Sequence, residues 1–282
     1  MKLVSYRHQE QASYGILKQD GIVDLGRRLG AEAPTLKALL AADGLSRAAR
    51  FANERPDFEL AAVDLLPVIP DPANIVCVGL NYEEHRTESA RPVVAHPTIF
   101  LRVVDSLQAH GKPLLIPRES DQFDYEGEIA VVIGRAGRRI SEADAWDHVA
   151  GVSCFNEGSV RDWQYHTAQF SPGKNFPLTG AFGPALVTTD ELPSNRVMGL
   201  QTRLNGQVMQ KADTDQMIFP VPRLIAYIST FMRLVPGDVI VTGTPGGVGA
   251  KRKPPVWMRD GDIVEVEIEG VGLLSNRCQK EG

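Results

Sequence analysis

Two glutamates stand two positions apart at the head of an apolar run, in Glu126-Gly127-Glu128 before IAVVIG. Side chains alternate along a strand, so Glu126 and Glu128 are predicted to project from the same face. Neighbouring carboxylates repel each other unless solvent or a cation lies between them, and Gly127 leaves room for a ligand. The pattern is therefore compatible with a divalent cation, although taken by itself it is more often an ordinary exposed strand face. Relief of the repulsion also predicts that removing Glu126 leaves the metal-free protein no less stable.

A third acid, Glu157, follows the apolar run HVAGVSCF in a predicted turn. Three carboxylates without a cysteine or histidine suit a hard ion that prefers oxygen ligands. We therefore expect Glu126, Glu128 and Glu157 to bind Mg²⁺ or Mn²⁺, with Ca²⁺ as an alternative and zinc disfavoured. The competing interpretation is a turn acid that pairs with Arg161.

His85 and Glu88 lie in the segment NYEEHRTES, which is predicted to open a helix. Asn81 is the expected N-cap, and Glu84 three residues later suggests a capping box. His85 and Glu88 are then one helical turn apart and can touch. A carboxylate beside an imidazole fixes its tautomer and raises its basicity, which suits a general base that takes a proton from water. An ordinary surface or packed histidine is the alternative.

Two further features have weaker signals. Lys174, in SPGKNF, is able to donate to a developing enolate or to a substrate carboxylate, although the segment taken alone favours a plain loop lysine. The segment TGTPGGVGAK lacks the Lys-Ser/Thr ending of a P-loop, so it does not predict a nucleotide site. Its main-chain N–H groups from Gly243 to Gly247 are instead candidates to bind a carboxylate, with a simple tight turn as the alternative.

The elements that must position these residues are mostly strands. Apolar residues make up 43% of the 282 residues, enough for a hydrophobic core, and 26 glycines with 19 prolines indicate many turns. Prolines cluster between Pro67 and Pro72, where they favour an extended connector. We therefore predict a small N-terminal α+β domain over residues 1–66 and a catalytic domain over residues 72–282.

Charge and cysteine content exclude several classes of protein. The net charge is −5, and the short basic run Lys251–Lys253, followed by two prolines, is interpreted as a solvated loop, so no nucleic-acid partner is expected. No apolar run approaches the length of a membrane span, and no signal core is expected at the start. Three widely spaced cysteines, Cys77, Cys154 and Cys278, indicate reduced, buried thiols. We therefore predict a cytoplasmic protein.

The order of the motifs resembles that of the fumarylacetoacetate hydrolase family, over about residues 72–277. The motifs that carry the resemblance are GLNYEEH, DYEGEIAVVIG, NEGSVRDWQ, GKNF, GAFGPALV, LNGQVMQ and GDVIVTGTPGGVG. The resemblance implies a mixed, β-rich α+β fold with a rolled β-sheet core, usually in a homodimer.

The resemblance also implies roles for individual residues. It matches three metal ligands, a water-activating pair and a lysine near the metal: Glu126, Glu128, Glu157, His85, Glu88 and Lys174. Positions that face the substrate match Gln164 and Thr244, beside the Gly243 main chain, whereas the pair Arg161 and Asp162 is expected to be structural.

The sequence departs from the family pattern at three positions. Glu157 stands where aspartate is usual, Arg102 where lysine is common, and Pro177 where aspartate is frequent. The extra methylene of Glu157 moves its carboxylate by about one carbon–carbon bond, so the backbone or the ion has to adjust.

The favoured function is metal-dependent hydrolysis of a carbon–carbon bond in an acylpyruvate-like 1,3-dicarbonyl acid, with a small keto acid as the only partner. The alternative is a decarboxylase, isomerase or dehydratase that acts on a 2-oxo acid through a metal-bound enolate. The presence of His85 and Glu88 favours hydrolysis over decarboxylation, because decarboxylation needs no activated water. A third interpretation, a non-catalytic protein that binds a keto acid, is supported only by Glu157.

Overall fold

The computed structural model describes residues 1–282 as a mixed, strand-rich α+β fold, which confirms the predicted fold class. Its strands are β1 (Lys2–His8), β2 (Gln11–Leu17), β3 (Gly21–Asp24), β4 (Phe58–Glu59), β5 (Asp64–Leu65), β6 (Ile75–Gly79), β7 (Thr98–Arg102), β8 (Leu107–Gln108), β9 (Leu114–Ile116), β10 (Phe123–Asp124), β11 (Gly127–Ile133), β12 (Val149–Glu157), β13 (Ser159–Val160), β14 (Gly180–Thr188), β15 (Gly199–Leu204), β16 (Gln207–Asp213), β17 (Val239–Val241), β18 (Ile263–Ile268) and β19 (Gly272–Lys280).

The helices are few and mostly short. They are α1 (Leu25–Leu29), α2 (Leu36–Ala41), α3 (Leu45–Ala49), α4 (Glu83–Glu88), α5 (Arg161–Gln164), α6 (Ser171–Lys174) and α7 (Val221–Phe231). None of them combines the length and the apolar character that crossing a bilayer would require. The cytoplasmic location stays a prediction.

The strands form one large sheet and two smaller ones. The large sheet has twelve strands in the order β4-β3-β2-β1-β14-β12-β11-β17-β6-β7, with β5 added to β1 and β8 added to β14. A five-stranded sheet has the order β16-β15-β18-β19-β9, and β10 pairs with β13. Strands β1 to β3, from the predicted N-terminal domain, therefore extend the same sheet that holds β11 and β12. The domain boundary between residues 66 and 72 stays a prediction.

Two central strands explain why the glutamates meet. Every residue of β11 and of β12 is buried, as expected for apolar runs covered on both faces of a sheet. The two strands pair antiparallel, and Gly127 lies opposite Asn156. That register brings the start of β11, with Glu126 and Glu128, next to the end of β12, where Glu157 is the last residue.

Alternate residues of β11 belong to different hydrophobic clusters. Ile129 and Val131 pack in a cluster of 34 buried residues that includes the five-stranded sheet, whereas Ala130 and Val132 pack in a second cluster of 24 residues. The glutamates at the start of β11 are thus held by a strand that is packed on both faces, which leaves little freedom for them to move apart.

Asn81 differs from its predicted role as a helix cap. The residue before α4 is Tyr82, without a capping side chain, and no capping box forms there. The fully buried Asn81 amide instead donates to the carbonyls of Phe219 (3.0 Å) and Thr242 (2.7 Å) and accepts from the Phe219 N–H (2.8 Å). It therefore joins the segment before α4 to the start of α7 and to the turn after β17, where no pattern in the sequence linked them.

Asn81→Ala should lower the free energy of unfolding by about 2–4 kcal/mol, because it leaves the buried Thr242 carbonyl and the partly buried backbone groups of Phe219 without partners. Urea denaturation followed by circular dichroism measures the loss. Asn53→Ala, at an exposed asparagine, is the matched control and should stay within about 0.5 kcal/mol. Equal stability of the two variants would contradict the bracing role of Asn81.

Candidate active site

A cavity of about 200 Å³ opens where β6, α4, β11, β12, α5, α6 and the glycine-rich turn after β17 converge. Most of the residues predicted from the sequence line it: His85, Glu126, Glu128, Glu157, Gln164, Lys174 and Thr244. Glu88 and Gly243 do not line the cavity but contact residues that do. The structure thus brings together elements that are far apart in the chain.

The three predicted metal ligands lie close together and are buried. One carboxylate oxygen from each of Glu126, Glu128 and Glu157 lies within 4.8 Å of the other two. Their side chains offer only oxygen donors, the ligand type that Mg²⁺ and Mn²⁺ prefer. The geometry of these side chains therefore fits a single divalent cation.

Glu126 is the best neutralised of the three. Its carboxylate accepts from Arg161 Nη2 (2.8 Å) and Ser159 Oγ (3.1 Å), and it forms a close ion pair with Lys174. Burial alone would raise the pKa of Glu126, but the charges of Arg161 and Lys174 outweigh it and hold that pKa far below its usual range. This pairing argues against the expectation that removing Glu126 leaves the metal-free protein no less stable, because two buried cations would lose a counter-charge.

Glu128 is in the opposite situation. It has no cationic partner, and its only hydrogen bond comes from the Gly243 N–H. Burial raises the pKa of Glu128 well above its usual value, and the charges of Glu157 and Glu126 raise it further. This carboxylate gains most from a divalent cation beside it.

Glu157 ends β12 and has one oxygen free. Its Oε2 accepts from Lys174 Nζ (2.9 Å), whereas its buried Oε1 has no hydrogen-bond partner. A buried carboxylate oxygen without a hydrogen bond is costly, and a divalent cation would satisfy it more directly than Arg102, whose Nη1 lies 3.8 Å away. The pairing of Glu157 with Arg161, considered from the sequence, does not form.

Lys174 is not the plain loop lysine that the sequence left as an alternative. It ends the short helix α6, and its buried ammonium lies between Glu126 and Glu157. Burial alone would lower the pKa of Lys174, but the charges of the two glutamates outweigh it and raise that pKa. The ammonium therefore stays charged at the edge of the cavity.

Arg161 has a larger part in the site than the sequence indicated. Its guanidinium donates to Asp124 (2.8 Å), to Glu126 (2.8 Å) and to Gln164 Oε1 (2.9 Å), and it lines the cavity. Asp124 in turn accepts from the N–H groups of Gly249 and Ala250 (2.8 and 2.9 Å). Asp124 was not predicted as a site residue, and its position two residues before Glu126 was the only signal in the sequence that pointed to it.

Two of the departures from the family pattern turn out to be neighbours. Arg102 Nη1 lies 3.8 Å from Glu157 Oε1, and both side chains are buried. The same guanidinium donates to the carbonyl of Gly158 (3.2 Å) and to Thr179 Oγ1 (2.9 Å). A larger cation and a longer acid therefore occur together, and Arg102 braces the backbone directly after Glu157.

His85 and Glu88 form the predicted pair on α4. His85 Nδ1 lies 2.7 Å from Glu88 Oε1, and Glu88 Oε2 accepts from the Gly247 N–H at 2.9 Å. A proton on Nδ1 is needed for the bond to the carboxylate, which leaves Nε2 as the basic nitrogen of a ring that lines the cavity.

The glycine-rich turn binds carboxylates of the chain itself. The Gly243 N–H is taken by Glu128 and the Gly247 N–H by Glu88, so neither amide is free for the substrate carboxylate that the sequence suggested. Both glycines have left-handed backbones, with φ of 101° and 99°, that other residues rarely adopt. Thr244 lines the cavity, donates to the Gly127 carbonyl (2.9 Å) and thereby ties the turn to β11.

Comparisons with known proteins show which proteins this chain resembles. The family described as fumarylacetoacetate (FAA) hydrolase, C-terminal, matches residues 74–279. The protein named oxaloacetate tautomerase fahd2, mitochondrial, from Xenopus laevis is 43% identical over 216 residues, 76% of this chain and 68% of that one. A crystal structure named for an HpcE protein from Mycobacterium smegmatis superposes with a TM-score of 0.90 at 35% identity, covering 100% of both chains.

A further solved structure holds ligands. Maleylpyruvate hydrolase from Sphingobium sp. SYK-6, in complex with manganese (II) ion and pyruvate, superposes with a TM-score of 0.83 at 26% identity, covering 100% of both chains.

Two matched variants compare Glu126, which pairs with two cations, with Glu128, which has no cationic partner. Glu126→Gln should destabilise the metal-free protein by about 3 kcal/mol, because it leaves buried Arg161 and Lys174 short of a counter-charge. Glu128→Gln should be at least as stable as wild type, because it removes repulsion and keeps an acceptor for Gly243. Urea denaturation in excess chelator measures both, and a larger loss in Glu128→Gln would contradict the assignment.

The raised pKa of Glu128 also predicts a pH dependence. Above the usual value of 4.5, folded Glu128 keeps a proton that the unfolded chain has lost, so its contribution to stability falls as pH rises. The free energy of unfolding of metal-free wild type should therefore decline relative to that of Glu128→Gln as pH is raised above 4.5. A constant difference between the two proteins across pH would contradict this.

Mn²⁺ or Mg²⁺ should raise the melting temperature of wild type, since a ligand that binds only the folded state stabilises it by mass action. The shift should vanish in excess chelator and be largely lost in Glu128→Gln. Calorimetric titration of Mn²⁺ into both metal-free proteins measures the affinity directly. Equal affinities would exclude Glu128 as a ligand.

Proposed function

The chain belongs to the fumarylacetoacetate hydrolase family, and from that premise we propose that it is a Mg²⁺- or Mn²⁺-dependent enzyme that forms an enolate from a small 2-oxo acid. The observation that carries the proposal is one cavity lined both by a histidine bound to a carboxylate and by three buried glutamates. In this proposal Glu126, Glu128 and Glu157 hold the metal, which polarises the 2-oxo acid as a Lewis acid.

The charges around the cavity favour an anionic substrate. Apart from His85, the buried cluster has four carboxylates and three cations: Asp124, Glu126, Glu128, Glu157, Arg102, Arg161 and Lys174. The single excess negative charge becomes an excess positive charge once a divalent cation binds. An anion is then needed to balance a site of low dielectric, which is where charge interactions are strongest.

His85 is the proposed proton acceptor. With Nδ1 bound to Glu88, the imidazole offers Nε2 to the reacting proton, and Glu88 stabilises the imidazolium that forms. Glu88 is itself fixed by the Gly247 N–H, so the ring has little freedom to turn. Lys174 supplies positive charge close to the developing enolate. Gln164 and Thr244, which line the same cavity, are proposed to contact the substrate.

Keto–enol tautomerisation of an oxaloacetate-like 2-oxo acid is the reaction we favour. It moves one proton between carbon and oxygen, which requires a base and no attacking water. Several relatives at about 40% identity are named oxaloacetate tautomerases, which supports this choice.

Hydrolysis of a carbon–carbon bond in an acylpyruvate-like acid is the second candidate. The same pair, His85 and Glu88, would then take the proton from water rather than from carbon, and the similarity to a structure named maleylpyruvate hydrolase supports it. Decarboxylation shares the enolate but leaves the pair without a clear task, because loss of carbon dioxide needs no general base. Dehydration, like tautomerisation, would use the pair to take a proton from carbon. The homodimer stays a prediction that sedimentation would test.

His85→Ala should reduce turnover by about 10²–10⁴-fold, the usual contribution of a general base. Glu88→Gln should reduce it less, because the imidazole remains but loses its orienting charge. Enol-to-keto conversion of oxaloacetate, followed by the loss of enol absorbance, and pyruvate release from acylpyruvates measure the two reactions side by side.

The affinity for Mn²⁺ is the control, since neither variant touches the three glutamates. Oxaloacetate conversion without acylpyruvate cleavage would establish the tautomerase and exclude the hydrolase. Wild-type rates in His85→Ala on both substrates would remove the pair from either mechanism.

A further inference from the structure

The basic run Lys251–Lys253 does not behave as one solvated loop. Lys253 is exposed, as the sequence analysis expected. Arg252 is half-buried and donates to backbone carbonyls of Gly247 (3.2 Å) and Met209 (2.6 Å). Lys251, also half-buried, lines the active-site cavity. Three adjacent cations therefore have three different environments, and only Lys251 adjoins the site.

The backbone that carries Lys251 is held rigidly against the site. Lys251 ends a short 3₁₀ helix, Gly249–Lys251, whose first two N–H groups both donate to Asp124. Asp124 is buried and bound to Arg161, which in turn binds Glu126. A chain of buried polar contacts thus sets the position of Lys251 relative to the glutamates.

Lys251 also differs from the cations deeper in the cavity because it lacks a counter-charge. Arg161 and Lys174 each contact two carboxylates. No carboxylate lies within 4.0 Å of the charged groups of Lys251 or of Arg91, an exposed residue that lines the same cavity from the segment after α4. The cavity therefore has unpaired positive charge in addition to the balanced cluster around the glutamates.

We propose that Lys251 is a specificity-determining residue that, with Arg91, binds a second carboxylate at the end of the substrate distant from its 2-oxo acid group. The substrate class is then a short 2-oxo dicarboxylate rather than a 2-oxo acid with a neutral acyl tail. A volume of about 200 Å³ is below the range usual for drug-sized ligands, which agrees with a short molecule. The proposal rests on the proposed function, because it takes the glutamate cluster as the place of the 2-oxo acid group.

Lys251 should contribute more than Arg91. It is half-buried and its backbone is fixed, so less conformational entropy is lost when it pairs with an anion than for an exposed side chain. A neutral tail would gain nothing from either cation. The expected discrimination is about 10–100-fold in affinity, as for a partly buried hydrogen bond to a charged group.

The test compares Lys251→Met with Lys253→Met in the Mn²⁺-loaded protein. Each variant removes one positive charge from the same basic run and keeps an unbranched apolar stem, but only Lys251 lines the cavity. The ligands are oxaloacetate and its 4-methyl ester, which differ in the charge of the distal group. Titration calorimetry gives Kd whether or not the ligand reacts, and steady-state kinetics give KM and kcat.

Lys251→Met should raise Kd and KM for oxaloacetate about 10–100-fold, with kcat within about threefold and with little change for the ester. Lys253→Met should leave all values unchanged. An equal loss for both ligands, or no loss for oxaloacetate, would overturn the role of Lys251. Tight, Lys251-dependent binding of oxaloacetate without turnover would instead support Lys251 and overturn the proposed reaction.

Discussion

Repulsion among three buried glutamates is the constraint on which the rest of the site depends. Oxygens of Glu126, Glu128 and Glu157 lie within 4.8 Å of one another in the interior, where like charges repel far more strongly than in water. The three carboxylates are neutralised to different extents. Glu126 pairs with two cations, Glu157 shares Lys174 with it, and Glu128 has only a backbone amide. That imbalance is what makes a divalent cation favourable.

The surrounding structure keeps these charges from separating. Strands β11 and β12 are buried along their whole length and fix the start of one beside the end of the other. The glycine-rich turn then uses its amides on Glu128 and on Glu88, so one loop orients a metal ligand and the proton-transfer pair together. A shift of this turn would disturb both, which ties the proposed acid–base chemistry to the metal site.

The contact between Arg102 and Glu157 shows how a change in a ligand is accommodated. One oxygen of the longer acid accepts no hydrogen bond, and the Arg102 guanidinium 3.8 Å away offsets its charge and donates to the next carbonyl, that of Gly158. The two departures from the family pattern belong together, because Arg102 and Glu157 are buried neighbours of opposite charge. The substitution of glutamate for aspartate is therefore compatible with an intact metal site and gives no support to a non-catalytic protein.

Local patterns in the sequence determined the strand-rich fold class and made Glu126, Glu128, Glu157, His85 and Glu88 candidate site residues, because strand alternation and helical spacing act over a few residues. The family was indicated by the resemblance in the order of the motifs along the chain. The contacts of Asn81, Asp124 and Arg102 and the position of Lys251 beside the cavity were decided only by the tertiary structure. Asn81 suited a helix cap equally well, and the run Lys251–Lys253 suited a solvated loop, until strand pairing brought distant segments into contact. Local propensity does not specify contacts between residues more than a hundred positions apart, such as Asp124 with Gly249, so neither the charge balance of the cavity nor its unpaired cations follow from the sequence alone.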